Sequence, residues 1–331
     1  MSEPERIACF HLNQLGDLLF SLPALCNLRQ RFPKARIASV VRPGFRELLE
    51  LSDLVDEIIE RPRGPFGSDL RVASVLRQKK FDLAVVFSTS MGMSRLALLS
   101  GCRRRVGFDK KPTGFLHTKR VPWAAPPSTK NNLRLVEAIG CPVVKRDYVG
   151  LIRPREADEA EAARLLTSAG VDDGPFVVLG PGTSTGREIK RWPNEGFAEV
   201  ADRLAAEFNI KSVLVGLAGG NEVSRMSRNA IDLTGNTSLP VLAAILKRAR
   251  LFIGVDSGVM HLAAAMGVRV VGLFGPSDPC ITGPQGEGHA VVHVDLPCRP
   301  CLAKSCDLGR ICMTGIGPDM VFNAARSTMT Q

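Results

Sequence analysis

The sequence is poor in aromatic residues and has no long apolar runs. It holds one Tyr and two Trp among 331 residues, beside 15 Phe. That leaves little for the stacked platform on which single-stranded nucleic acid binds, so nucleic acid is set aside as a partner. No apolar run approaches the ~20 residues needed to cross a bilayer. The opening MSEPERIACF has no basic segment leading into a long apolar one, so no secretory signal is expected and the cytoplasm is the expected compartment. Internal repeats, low-complexity tracts and Asp-x-Asp triplets are absent as well. Nine cysteines in that compartment read as thiols or metal ligands rather than as a disulfide framework.

What is present suits two globular domains of about 150 residues each, placed at 1–150 and 151–331. The net charge of +10, from 43 basic against 33 acidic residues, favours anionic partners. Apolar runs alternate with helical patterns. A strand at 6–10 leads through a tight turn at 13–17 into an apolar helix at 18–32, which Pro23 is expected to interrupt. Strands are expected at 36–41, 57–60 and 82–87, and helices at 45–51, 69–80 and 131–139. A connection at 141–174 carries a charged helix at 156–169. A second series follows, with strands at 175–179 and 212–216 and helices at 195–208 and 239–249. Alternation of this kind predicts α/β architecture, with parallel sheets and right-handed crossovers.

The most informative stretch is 251–278, LFIGVDSGVMHLAAAMGVRVVGLFGPSD, which reads as strand, helix, strand. Asp256 and Ser257 stop the first strand and suit a helix N-cap. Val259, Leu262, Ala263 and Met266 share one helical face, and Ser257 and His261 share another. The amides of Gly258, Val259 and Met260 lack carbonyl partners inside the helix and stand at its positive end, so they suit a phosphate. The alternative is an ordinary βαβ unit whose Ser caps a helix and whose His is structural.

Three further constellations carry chemistry. In Asn13-Gln14-Leu15-Gly16-Asp17, after the first strand, the Asp17 carboxylate is placed to accept a proton from a bound hydroxyl, or else to cap the helix. The loop Gly180-Pro181-Gly182-Thr183-Ser184-Thr185-Gly186 approaches a dinucleotide fingerprint, but its spacing is G-x-G-x-x-x-G. The next strand ends in Gly-Leu-Ala rather than in a ribose-holding acid, which disfavours nicotinamide chemistry. Lys190 follows, just before Pro193 opens a helix, and would bring a mobile charge to a diphosphate. The third is Cys298, Cys301, Cys306 and Cys312, separated by two, four and five residues. These thiols either hold a structural zinc or iron or pack a small lobe as reduced cysteines. Arg103, Arg104, Arg105, Lys110 and Lys111 form a strongly basic segment besides.

Taken together, G-D-x-x-x-x-x-P-A-L from Gly16, P-G with K-x-W-P ending at Pro193, D-S-G-x-x-H-L-A-A and G-P-S-D resemble glycosyltransferase family 9, the heptosyltransferases of lipopolysaccharide core synthesis. The resemblance covers nearly the whole chain in family order. It implies a GT-B fold of two facing Rossmann-like domains, with acceptor on the N-terminal one and ADP-sugar on the C-terminal one. It implies inverting transfer of L-glycero-D-manno-heptose from ADP-heptose to the lipopolysaccharide inner core (lipid A–Kdo or a heptosyl acceptor), with Asp17 as base. The donor would be held by Gly182, Thr183, Lys190, Asp256, Ser257, Gly258 and His261. The five basic residues named above would meet the anionic acceptor at the inner-membrane face, in peripheral contact. The missing Asp-x-Asp agrees with transfer that needs no metal or other cofactor. Autotransporter protein as acceptor, and nucleotide binding without catalysis, remain the alternatives. Some autotransporter heptosyltransferases of the family bind iron, which extends to the four cysteines as a structural metal site.

Overall fold

Among the described residues every strand ladder is parallel, and the strands form two sheets of six. Each sheet belongs to one of the two units into which the chain divides, Met1–Leu151 and Ile152–Gln331. The computed structural model describes residues 3–330 apart from 13, 63–65, 125–126, 172–173, 185, 218 and 302, and it leaves the side chains of 66–68 undescribed. Asn13 and Thr185 of the motifs above therefore lie outside the described residues.

The first unit contains β1 (Arg6–Phe10), β2 (Arg36–Val41), β3 (Glu57–Glu60), β4 (Leu83–Val86), β5 (Arg104–Asp109) and β6 (Lys119–Pro122), in the order β3-β2-β1-β4-β5-β6. Its helices are α1 (Leu15–Arg31), α2 (Arg46–Glu50), α3 (Phe66–Gln78), α4 (Met91–Leu99) and α5 (Ser128–Glu137). Strand order reverses between β1 and β4. Right-handed crossovers leaving in opposite directions fall on opposite faces, so α1 packs with α5 and α3 with α4. Alternate residues serve the two layers. Ala8, Phe10, Ala38, Val40, Ala84 and Val86 meet Leu76, Met93 and Leu96, and the intervening Ile7, Cys9 and Ile37 are buried on the other side. Being covered on both faces explains why these strands are apolar without alternation.

α1 runs unbroken through Pro23, contrary to the expected interruption. Residues 18–25 are all buried, α5 lies against them, and Asn132 Nδ2 donates to the Phe20 carbonyl at 3.0 Å. Packing on this scale offsets the backbone hydrogen bond that proline cannot make.

The second unit repeats the plan. β7 (Phe176–Gly180), β8 (Lys211–Leu214), β9 (Ala230–Asp232), β10 (Leu251–Val255), β11 (Val270–Leu273) and β12 (Ala290–Val292) are ordered β12-β11-β10-β7-β8-β9. Its helices are α6 (Glu156–Ser168), α7 (Asn194–Phe208), α8 (Gly220–Met226), α9 (Leu239–Arg248), α10 (Gly258–Ala265), α11 (Pro279–Thr282), α12 (Ile311–Thr314) and α13 (Pro318–Thr330). Here the order reverses between β7 and β10, whose Gly180 and Gly254 stand in register. A Cβ on Gly180 would come within 2.5 Å of the Phe252 ring, and one on Gly254 within 2.7 Å. Two glycines are thus what lets the strands close around Phe252 just below their carboxyl ends. No described helix is long and apolar enough to cross a membrane.

Candidate functional site

In open parallel sheets ligands bind beyond the carboxyl ends of the strands, where the order reverses. In the second unit that point lies between the loop leaving β7 and the turn leaving β10. Asp256, the first residue past β10, is buried, and its Oδ2 accepts the Lys190 ammonium at 2.5 Å and the Thr282 hydroxyl at 3.4 Å. His261 Nε2 lies 3.7 Å from Oδ1. Burial acts to raise the Asp256 pKa, but His261 and the Lys190 ammonium outweigh it and hold the carboxyl well below the usual carboxylate range. Lys190 closes a single 3₁₀ turn, residues 188–190, and reaches across the switch point with its side chain 21% exposed.

Ser257 caps α10, its Oγ accepting the Met260 amide at 3.4 Å. By sequence, three amides are available to an anion. This cap uses one, which leaves those of Gly258 and Val259 at the positive end of the helix. Gly182 and Thr183 follow the carboxyl end of β7. Thr183 Oγ1 is shielded from solvent and has no hydrogen-bond partner, and the same holds for Ser277 Oγ past β11. Buried hydroxyls without partners are uncommon in folded proteins and suit a site that a polar ligand completes. Thr282 is not singled out by the sequence. Only the pairing of Thr282 with Asp256 reveals it, whereas the G-P-S-D turn had already marked Ser277's segment.

In the first unit the corresponding point lies between β1 and β4. Asp17 is the third residue of α1, in its first turn, and Gln14 rather than Asp17 occupies the N-cap. A carboxylate there is favoured by the helix's positive end. The segment leaving β4, Ser88-Thr89-Ser90, flanks the same switch point, with Ser90 capping α4 through the Met93 amide. No motif in the sequence marks this segment. Beneath it His11 is fully buried, stacked on Phe87 at 5.3 Å, with its ring nitrogens 2.8 Å from Ser21 Oγ and 3.0 Å from Ser39 Oγ. Ser21 gives its own proton to the Leu18 carbonyl. The Nδ1–H of His11 therefore donates to Ser21, and Nε2 accepts from Ser39. Burial pushes the pKa of this ring down to about 3.

The basic segment expected to act as one patch is divided by β5. Arg103, Arg104 and Arg105 stand at the amino end of the strand, and Lys110 and Lys111 follow its carboxyl end, roughly 15–20 Å away at strand rise. Arg105 is also engaged, its guanidinium donating to the Leu116 and Cys102 carbonyls at 2.9 and 2.7 Å. Only the two lysines lie at the switch-point end, with Lys110 Nζ 5.2 Å from the centre of the Trp123 ring.

For the four cysteines the sequence leaves a metal site and a lobe of reduced thiols open, and the structure gives no support to the metal site. Among the described residues no group of three or more His, Cys, Asp or Glu is arranged to hold a metal ion. Cys312 turns inward, its Sγ 3.2 Å from where a Cβ on Gly275 would stand, while Cys298 is exposed. Burial first, and then the neighbouring thiols Cys301, Cys306 and Cys298, raise the Cys312 pKa. The thiols share a neighbourhood but not a ligand geometry.

Solved structures share this architecture. "E. coli ADP-heptose lps heptosyltransferase II" superposes with a TM-score of 0.80 at 23% identity, covering 98% of this chain and 99% of the other. "E. coli heptosyltransferase WaaC with ADP-2-deoxy-2-fluoro heptose" does so with a TM-score of 0.73 at 20% identity, covering 97% and 99%. Two doubly wound units of this kind place the chain in the GT-B fold class. The profile of Glycosyltransferase family 9 (heptosyltransferase) matches residues 70–312. The lipooligosaccharide heptosyltransferase 2 of Campylobacter jejuni is 34% identical, with 95% of each chain covered. This protein belongs to glycosyltransferase family 9, the heptosyltransferases.

Proposed function

We propose that the chain transfers L-glycero-D-manno-heptose from ADP-heptose, with inversion, to a hydroxyl of the lipopolysaccharide inner core. The observation that carries this reading is the Lys190–Asp256 pair at the second unit's switch point, beside the N-terminus of α10 and the unpartnered Thr183 hydroxyl. The donor domain is 151–331. Its Lys190 ammonium and the Gly258 and Val259 amides take the diphosphate, Thr183 gives it a hydroxyl, and Asp256 accepts from a hydroxyl of the sugar. His261 supports Asp256.

The acceptor domain is 1–150, with Asp17 as base and Lys110 and Lys111 toward the anionic core, in peripheral contact with the inner membrane. The acceptor oxygen attacks the anomeric carbon opposite the diphosphate, the carbon–oxygen bond to ADP breaks, and the acceptor proton passes to Asp17. Charge developing on the leaving diphosphate meets Lys190 and the helix end, so the donor site supplies its own positive charge without a metal.

The test is mass spectrometry of truncated lipid acceptors incubated with ADP-heptose and purified protein. A heptose mass increment with stoichiometric ADP release supports the reading. ADP-heptose binding without transfer to any inner-core acceptor, or transfer to an autotransporter protein alone, overturns it.

A further inference from the structure

The cysteine-bearing segment has no metal geometry, yet it is tied to both donor loops. On one side the Arg299 guanidinium donates to the Gly275 carbonyl and, at 2.7 Å, to that of Val294, and the Cys301 amide donates to the Pro276 carbonyl at 2.8 Å. Met313 fills the space over Gly275, where a Cβ would stand 2.2 Å from its sulfur. On the other side Trp192 Nε1 donates to the Ile316 carbonyl at 2.8 Å. Arg310 Nη1 donates to the carbonyls of Glu188 and Arg191, each at 3.2 Å. Those two carbonyls bracket Lys190.

Arg310 itself stands at φ 57° and ψ 39°, in the left-handed region that a residue with a Cβ rarely adopts. Its carbonyl accepts the Met313 and Thr314 amides at 2.7 and 3.0 Å, so the backbone conformation is what starts α12. Glycine would serve that purpose with less strain. What glycine would lack is the guanidinium on the Lys190 turn.

We propose that Arg310 is a positioning residue for the diphosphate subsite, holding the 188–191 turn so that the Lys190 ammonium is presented at the switch point. A lysine stem has four rotatable bonds, and its charge is only as well placed as the backbone that carries it. Through this clamp the cysteine-bearing segment controls donor affinity while touching no substrate. The inference rests on Lys190 being the cation that meets the diphosphate.

The experiment compares Arg310→Gly, Arg310→Lys, Lys190→Ala and the Arg310→Gly/Lys190→Ala double variant in the full chain. It measures ADP and adenosine affinity by calorimetry, KM for ADP-heptose and for acceptor, and Tm. Arg310→Gly is expected to weaken ADP about three- to tenfold, with adenosine affinity, acceptor KM and Tm unchanged. Arg310→Lys recovers part of the loss. In the Lys190→Ala background the Arg310→Gly change adds nothing further.

Wild-type ADP affinity in Arg310→Gly, or an undiminished loss in the Lys190→Ala background, overturns the clamp while leaving Lys190 in place. If Lys190→Ala itself binds ADP normally, the reading of Lys190 falls first. Should Arg310→Gly lower Tm, Arg310→Lys decides. Wild-type adenosine affinity with an intermediate ADP loss supports the clamp, and equal loss of both ligands overturns it.

Discussion

Lys190 and Asp256, 66 residues apart in the chain, meet at 2.5 Å across the reversal point of the second sheet. The pair has an asymmetric consequence, because each partner masks the other until a ligand arrives. Lys190→Ala removes the cation, and ADP affinity is expected to fall about tenfold or more. Asp256→Asn leaves Lys190 unneutralised. ADP should then bind at least as tightly as in the wild type, while turnover drops and the unit loses about 1–3 kcal/mol of stability, the usual cost of leaving a partly buried donor without its acceptor. Titration calorimetry and thermal melts read both, and parallel losses of ADP affinity in the two variants would contradict this account.

Asp17→Asn should leave ADP binding untouched and lower kcat by roughly 10²–10⁴, the usual contribution of a general base. Asp17 lies in the first turn of α1 in the first unit, and the groups assigned to the donor are all in the second. Single-turnover transfer near the wild-type rate would remove Asp17 from its role.

Dividing the basic segment by β5 separates two phenotypes. Lys110→Ala with Lys111→Ala should raise acceptor KM at low salt, with the effect shrinking at high salt. Arg103→Ala should leave acceptor KM alone. Arg105→Ala should instead lower Tm, since its guanidinium holds the Leu116 and Cys102 carbonyls. Kinetics at two ionic strengths, beside melts of each variant, check all three.

Acid sensitivity should begin well above the carboxylate range. His11 is lowered to about 3 by burial, and His117 to about 4 by burial and then by Arg105 and Arg120. A histidine depressed in the folded state contributes stability that is complete above its unfolded value of 6.5. That stability fades as pH falls toward the folded value, because the unfolded chain takes up the proton first. For His11 the slope is at most about 1.4 kcal/mol per pH unit. Asp256, also depressed, keeps its contribution down to its unfolded value of 3.8 and loses it only below that. Denaturant midpoints between pH 7.5 and 4.5 should therefore fall in the wild type and fall less in His11→Gln. Equal slopes for the two proteins would place the acid sensitivity elsewhere.

What could be read without the structure was local. The run 251–255 became β10, Ser257 became the cap of α10, and the strand at 36–41 kept its bounds, because apolar runs, caps and turns are encoded within a few residues of one another. Elements with mixed patterns were missed. β5 shows in the sequence only as a basic segment, β6 carries Lys119, Arg120 and Pro122, and α4 leaves no clear pattern, since a strand at a sheet edge and a short helix have little periodicity to show. Pro23 has a local tendency to break the helix, and packing against α5 overrides it. The family resemblance named Lys190 and Asp256 separately. Their ion pair, the Thr282 contact and the Arg310 clamp depend on how six parallel strands are ordered, and strand order is decided by which faces bury one another across the whole unit. For the same reason the cysteine spacing was legible and its geometry was not. Arg310, Cys312, Met313 and Ile316 are held by the Lys190 turn, Gly275 and Trp192, none of which lies nearby in the chain.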